Sequence, residues 1–308
     1  NSSAYIDLED VGDKNIFGNN YTVFIDGVSD YGGFIQDSIG SSNNSIQDVH
    51  IVSRASDFSY TGSVSTLSEG AGWILSSNDQ SDGGINNFIT NCSSIGPIPE
   101  KGGGICGEYC GMVPRVYNST ESKWKLRYPN VNYGATVGEN IGLKITRCSS
   151  HGDIGSKGGG IIGRFDKMSS VHISECYSTG VIGDTSGGIV GDADAIQSNS
   201  EDIGYGKYNV KVDNCISMGN FRISNSRGIC TNNGNSNVHI TNCIVHGVVE
   251  DLHNFQFIPS SLLFGNTRNT SETNSDFVEK CYYSGHVEKH NSPLGLKLSG
   301  LHTKGNTL

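Results

Sequence analysis

Long apolar runs are missing from this chain of 308 residues. No stretch approaches the ~18 uninterrupted apolar residues that a membrane-spanning helix needs. Charge is sparse as well: Asp, Glu, Lys and Arg make up 17% of the residues, against roughly a quarter in an ordinary soluble domain. That scarcity argues against an assembly of charged surface helices. The charge present sums to −10, so the general basic footprint of a nucleic-acid binder is absent, and so is a polybasic segment for an anionic membrane. Proline is rare at 6 residues while glycine reaches 42. The glycines do not fall at every third position, which excludes collagen. No Cys-x-x-Cys pair occurs and the histidines do not accompany the cysteines at zinc-like spacing, so neither a metal nor another cofactor is expected. The chain opens at Asn1 with no Met and no signal-like apolar run, and so reads as a processed or trimmed product whose targeting information is lost.

What is abundant points to many short strands and turns: Val, Ile, Thr and Tyr punctuated by Gly, Asn and Ser. Six of the nine cysteines share one frame, at Cys92, Cys148, Cys176, Cys215, Cys243 and Cys281. Their separations are 56, 28, 39, 28 and 38 residues. A unit of 28 residues, doubled once and twice lengthened by an insertion, accounts for all five. The neighbours keep the frame. Three before each Cys stand Ile89, Ile145, Ile173, Val212, Ile240 and Val278; four after stand Gly96, Gly152, Gly180, Gly219, Gly247 and Gly285. A Gly-Gly-Ile run follows, ending at Ile105, Ile161 and Ile189, with Ile229 one residue later in the next unit.

Each unit therefore reads as three short strands, for example "VHISEC", "YSTGVIG" and "GGIVGD". The first alternates apolar and polar residues with period two, the mark of a strand with one buried face. One triplet cannot bury that face alone, but stacked units form a continuous interior. The expected fold is all-β, a right-handed parallel β-helix over residues 21–290. Residues 1–20 and 291–308 are candidate terminal caps or tails. Weaker copies extend the pattern: "VHIVS" at 49–53 aligns with "VHISE" at 171–175, "TVFID" at 22–26 reads as an earlier unit, and "GGFI" at 32–35 and "GWIL" at 72–75 as third strands. The glycine four after each Cys is expected at a bend, through φ > 0 or close backbone approach.

The six framed cysteines read first as a ladder of free thiols acting as small buried hydrophobes. Disulfides between neighbours and a metal site are the lesser alternatives, because side chains on parallel neighbours point the same way. Cys106 and Cys110, in "GGGICGEYCG", stand outside the frame and are read either as a bridge or as two thiols. Unpaired thiols suit assembly in a reducing cytoplasm. His151 and His246 each stand three after a ladder Cys, where the intervening units carry Thr179 and Met218, so this is a variable solvent position.

Two sets of residues fall outside the repeat and carry the functional candidates. The insertion at 111–140 brings Tyr117, Trp124, Tyr128 and Tyr133 together with a basic cluster of Lys123, Lys125 and Arg127. Aromatic residues commonly anchor interfaces, and insertions in repeat proteins project from one face. The bland alternative is that these rings pack the insertion against the wall. Further insertions lie near 194–208 and 251–275. The second set is acidic: Asp166, Asp192 and Asp194, of which Asp166 and Asp192 follow equivalent third strands and could approach one another. Grouped carboxylates of this kind are what a polysaccharide lyase or glycoside hydrolase working in a groove would need.

At "CYSTGVIGDTSGGIVG", residues 176–191, the repeat resembles bacterial surface adhesins with "GGIVG" repeats and β-helix proteins of giant DNA viruses. That resemblance implies a structural or attachment protein on a virion or extracellular surface, with a protein or glycan as partner. Enzymatic action on a polysaccharide and self-assembly into a homo-oligomer or fibre are the alternatives. Neither nucleic acid nor a membrane span enters this expectation.

Overall fold

The structure is a computed structural model. It describes residues 5–8, 12–37, 42–53, 65–77, 84–121, 123–128, 130–135, 139–166, 169–194, 210–222, 226–232, 238–251, 264–266, 277–289 and 296–302. The described part is all-β, and it contains no helix.

Strands that alternate one inward and one outward residue pair best with copies of themselves, and the sheets follow that rule. The first sheet has eight parallel strands: Asn15–Phe17, Ser45–Gln47, Asn87–Thr90, Leu143–Thr146, Val171–Ser174, Val210–Asp213, Val238–Thr241 and Phe277–Glu279. Each step across it is one repeat of the sequence. Ile16, Ile46, Ile89, Ile145, Ile173, Val212, Ile240 and Val278 share one register position. Leu143, Val171, Val210 and Val238 form a second inward column beside it. Ile89, Ile145, Ile173, Val212 and Ile240 are each 0% exposed, and full burial of such a side chain contributes about 1.5–3 kcal/mol.

The second sheet, of ten strands, runs from Thr22–Ile25 through His50–Ser53, Ser93–Ile95, Ser149–His151, Tyr177–Thr179, Ile216–Met218 and Ile244–Asp251 to Tyr282–Lys289. Leu296–His302 then adds an antiparallel strand against Tyr282–Lys289, and the tenth strand, Phe221–Arg222, pairs in parallel with the far end of Ile244–Asp251. A third line of pairing joins Ile6, Ile35, Leu75, Cys106, Ile162, Val190, Cys230 and Phe264, partly through single bridges. Successive strands of one repeat thus enter different sheets, an arrangement compatible with a parallel β-helix. The first twenty residues contribute Ile6–Asp7 and Asn15–Phe17, which pair in parallel with Ile35–Asp37 and Ser45–Gln47. No helix among the described residues is long and apolar enough to cross a membrane.

Two expectations about the repeat change. The 56 residues from Cys92 to Cys148 are one unit lengthened by the insertion and not two units, because Ile89 pairs directly with Ile145. "VHIVS" does not align with "VHISE": His50–Ser53 lies in the second sheet, and Ser45–Gln47 is the first-sheet strand of that unit. Ile46 pairs with Ile89, so Val49 takes the place of the ladder cysteine, and its carbonyl accepts from Ser93 N as that of Cys92 accepts from Ser149 N. A valine there serves the same packing as a thiol. The alignment on cysteine could not see this unit.

A further bend, between first and second strands, lies one residue before each ladder Cys. The residue before each ladder Cys, namely Asn91, Arg147, Glu175, Asn214, Asn242 and Lys280, is left-handed, with φ between 50° and 55°. Asp48 before Val49 does the same at 56°. The glycine four after Cys lies at a bend as expected at Gly96, Gly152 and Gly180, and it serves close approach, with positive φ as well at Gly180 (+125°) and Gly247 (+156°). A Cβ on Gly152 would run into the Gly96 carbonyl, one on Gly180 into that of Gly152, and one on Gly219 into that of Gly180. The Gly-Gly pairs have a similar cause. Ser150 and Ser178, buried in the second sheet, donate to the Gly160 and Gly188 carbonyls, and a Cβ on Gly160 would strike Ser178.

Candidate functional site

The insertion at 111–140 begins where Met112 bridges Ser169, just before the strand Val171–Ser174. Arg115–Asn118 and Lys123–Leu126 then form an antiparallel hairpin that pairs Val116 with Lys125 and Tyr117 with Trp124. Its turn is held by Asn118, whose Oδ1 accepts from the Thr120 and Glu121 amides at 3.0 and 3.3 Å. Lys125 closes the same turn through an ion pair to Glu121 at 2.8 Å.

The four aromatic candidates separate. Tyr133 is 1% exposed and packs with Val113 and Leu126 in a small core of its own. Burial pushes its hydroxyl pKa up. Next to it, the Gly134 carbonyl accepts from Ser170 Oγ at 2.8 Å, which ties the insertion to the wall. Tyr133 is therefore an anchor and presents no surface to a partner. Tyr117 and Tyr128 are 50% and 53% exposed, and Val116, on the opposite face of the strand from Tyr117, is 48% exposed. The backbone of Trp124 lies across from Tyr117, but its side chain is outside the described residues.

The acidic candidates meet differently from the expectation. The short parallel pair Phe165–Asp166 and Ala193–Asp194 sets Asp166 level with Asp194, and Phe165 level with Ala193. The same register brings Asp192 level with Arg164, so Asp166 and Asp192 are offset by two residues. Asp192 is buried, and the side chains of Asp166 and Asp194 are outside the described residues. Arg164 itself is engaged by Glu108, with Nε to Oε1 at 2.6 Å, and lies over the Tyr109 ring at 5.2 Å. Most of the insertions near 194–208 and 251–275 also lie outside the described residues.

All nine cysteines are buried and unbridged, Cys106 and Cys110 included. In the ladder each thiol donates to the carbonyl two residues earlier, as Cys148 does to Thr146 O at 3.4 Å. Burial pushes the thiol pKa up at Cys148, Cys176, Cys215 and Cys243; at Cys92 the hydrogen bond with Cys148 does so first and burial second. Thiols held protonated in this way are poor nucleophiles and poor metal ligands. Cys106 and Cys230 occupy positions taken by Leu75, Ile162 and Val190 in other units. Their place was readable in the sequence, because Cys106 follows the Gly-Gly-Ile run as Ile162 and Val190 do. Among the described residues no three His, Cys, Asp or Glu side chains converge as a metal group would need.

His151 bonds Thr179 on the next strand, Nδ1 to Oγ1 at 2.9 Å, and meets the Tyr177 ring edge-on at 5.4 Å. Burial lowers its pKa. One outward column escaped the sequence reading altogether. Four residues before each ladder Cys stand Phe88, Lys144, His172, Lys211, His239 and Phe277, which pair in register along the first sheet. The signal was present at a fixed offset, but the periodicity was followed only through its apolar positions. Compared with protein-family models, curated proteins and solved structures, the chain matches none.

Proposed function

We propose that this protein is a structural or attachment component of a virion or cell surface. In this reading its sheets are the walls of a right-handed parallel β-helix, and its insertion hairpin contacts a protein or glycan partner. One observation carries the reading: Val116, Tyr117 and Tyr128 are left half exposed on a hairpin that Val113, Leu126 and Tyr133 fasten to the wall. Rigid, exposed aromatics lose little conformational entropy on binding, which is why they recur at the centres of interfaces. A protein built for hydrophobic stability alone would gain by covering them.

Binding of the full chain to a printed glycan array tests this. The expected result is a defined set of bound glycans that Tyr117→Ser/Tyr128→Ser no longer recognises, while its β-sheet circular dichroism is unchanged. Retained recognition by that variant would remove the hairpin as the contact surface. An array with no bound glycan would overturn the glycan form of the proposal.

A further inference from the structure

The outward column of the first sheet places Lys144, His172, Lys211 and His239 directly one above another. Like charges opposite each other on neighbouring strands are destabilising. Here a histidine separates the two lysines, which therefore lie two strands apart, about twice the ~4.8 Å strand spacing. In a chain of net charge −10 an acidic partner for each lysine would be easy to supply. None is present among the described residues. The nearest carboxylate column offers Asp213, but that group accepts from Thr241 Oγ1 at 2.5 Å, from Asn242 at 3.0 Å and from Asn214 at 3.0 Å.

His172 is the group between the lysines. Its Nε2 is shielded from solvent and has no hydrogen-bond partner among the described residues. Burial first, then Lys211 and Lys144, lower its pKa to about 4, against a small opposing effect of Asp213. The ring is therefore neutral at pH 7, and the column carries two fixed positive charges with a third in reserve.

We propose that Lys144 and Lys211, with His172 between them, form a track for a linear sulfated polysaccharide laid along the stack. This deepens the attachment reading above and rests on it. An extended polysaccharide advances per sugar ring by close to one strand spacing, so anionic groups on alternate rings meet the two lysines. A sulfate ester stays charged at every relevant pH and gives the highest charge per ring, which matters where the rest of the protein repels anions. Phe88, 41% exposed at the next position of the column, offers an apolar face to a sugar ring.

The test is titration of the full chain with heparin fragments at low salt. Lys144→Gln/Lys211→Gln should weaken binding about tenfold or more and flatten the salt dependence by roughly one unit of slope per lysine removed. Lys101→Gln/Lys157→Gln, two lysines outside both the column and the hairpin, is the matched control and should stay within about twofold. Affinity should rise as pH falls from 7 to 5, because a bound anion favours protonated His172, and His172→Gln should reduce that rise. Equal loss in the matched control and the column variant would overturn the proposal, as would equal affinity for single-stranded DNA or for polygalacturonate. If heparin does not bind while the array still shows glycans lost with Tyr117 and Tyr128, the track fails and the attachment reading stands. If column and hairpin variants both leave all binding intact, both fail.

Discussion

The backbone amide of Cys148 donates to the thiol sulfur of Cys176 at 3.3 Å, across 28 residues of sequence. Cys92 makes the same bond to Cys148 at 3.4 Å, and Cys243 to Cys281 at 3.4 Å. A sulfur that accepts from the neighbouring strand while donating to its own is tied into the ladder as a neutral thiol. The amide bond to the sulfur favours the thiolate, but burial outweighs it, so folding raises the pKa of Cys148, Cys176 and Cys243 above that of an exposed cysteine, about 8.5. Below that pH the thiols are protonated in both states, and their contribution to stability is complete. Above it the unfolded chain releases protons that the folded chain retains, so stability falls with rising pH. Cys281, whose pKa is lowered by its bond from Cys243, is the exception. Chemical denaturation followed between pH 7 and 10 should show the loss, at up to ~1.4 kcal/mol per pH unit for each such thiol. Cys148→Ala/Cys176→Ala should reduce the slope, and a flat profile would contradict this account of the ladder.

Glycines of two kinds should respond very differently to alanine. At Gly152 a Cβ would meet the Gly96 carbonyl, which is backbone just past the strand Ser93–Ile95, held by the Gly96 amide's bond to the His151 carbonyl. At Gly27, with φ +63°, nothing lies within 4 Å, so only the left-handed backbone opposes the change. Gly27→Ala should cost about 1–2 kcal/mol. Gly152→Ala should cost more than that, at least ~3 kcal/mol, because strand pairing must shift as well. Thermal melts of the two variants make the comparison.

Left-handed bends are most costly where the residue is long and non-glycine. Arg147 and Glu175 hold φ near 55°. Replacing either by glycine should raise stability, by up to about 1 kcal/mol once the entropy of the unfolded chain is counted against the relief of strain. Asn91 should gain less, since its Nδ2 donates to Asp48 Oδ1 at 2.6 Å and that bond would be lost. Denaturant midpoints of Arg147→Gly and Asn91→Gly should move in that order.

The hairpin should divide into anchor and contact. Tyr133→Ala should destabilise the insertion by about 3 kcal/mol through the cavity it leaves, seen as protease cleavage within 111–140. Tyr117→Ala should leave cleavage resistance unchanged, since that ring contributes little to packing at half exposure.

Much of the repeat could be read directly, because Ile145, Ile173 and Val212 bury one face with period two and must stack to do so. The cysteine frame carried the reading where cysteine was present. It failed at Val49, which fills the same space with a different side chain. The bend before each ladder position was missed because left-handed φ was sought at glycine, whereas Asp48, Asn91 and Asn242 adopt it with short polar side chains and Arg147 and Lys280 are carried along by the stack. The candidate site was legible only in part. Tyr133 and Tyr128 are alike in sequence, and only packing tells anchor from exposed ring. Lys144 and Lys211 stood in plain view at a constant distance from the ladder, but single charged residues carry no periodic signal until strands are set in register.

Register is the claim on which everything above depends, and a pair of spin labels at Lys144→Cys and His172→Cys tests it. The native thiols are buried and should not label in the folded protein. If the two positions are direct neighbours on parallel strands, about 4.8 Å apart at the backbone, the doubly labelled protein will show a spectrum collapsed by spin exchange. Each singly labelled variant will show an ordinary one. A doubly labelled spectrum equal to the sum of the two single ones would contradict the stacked register.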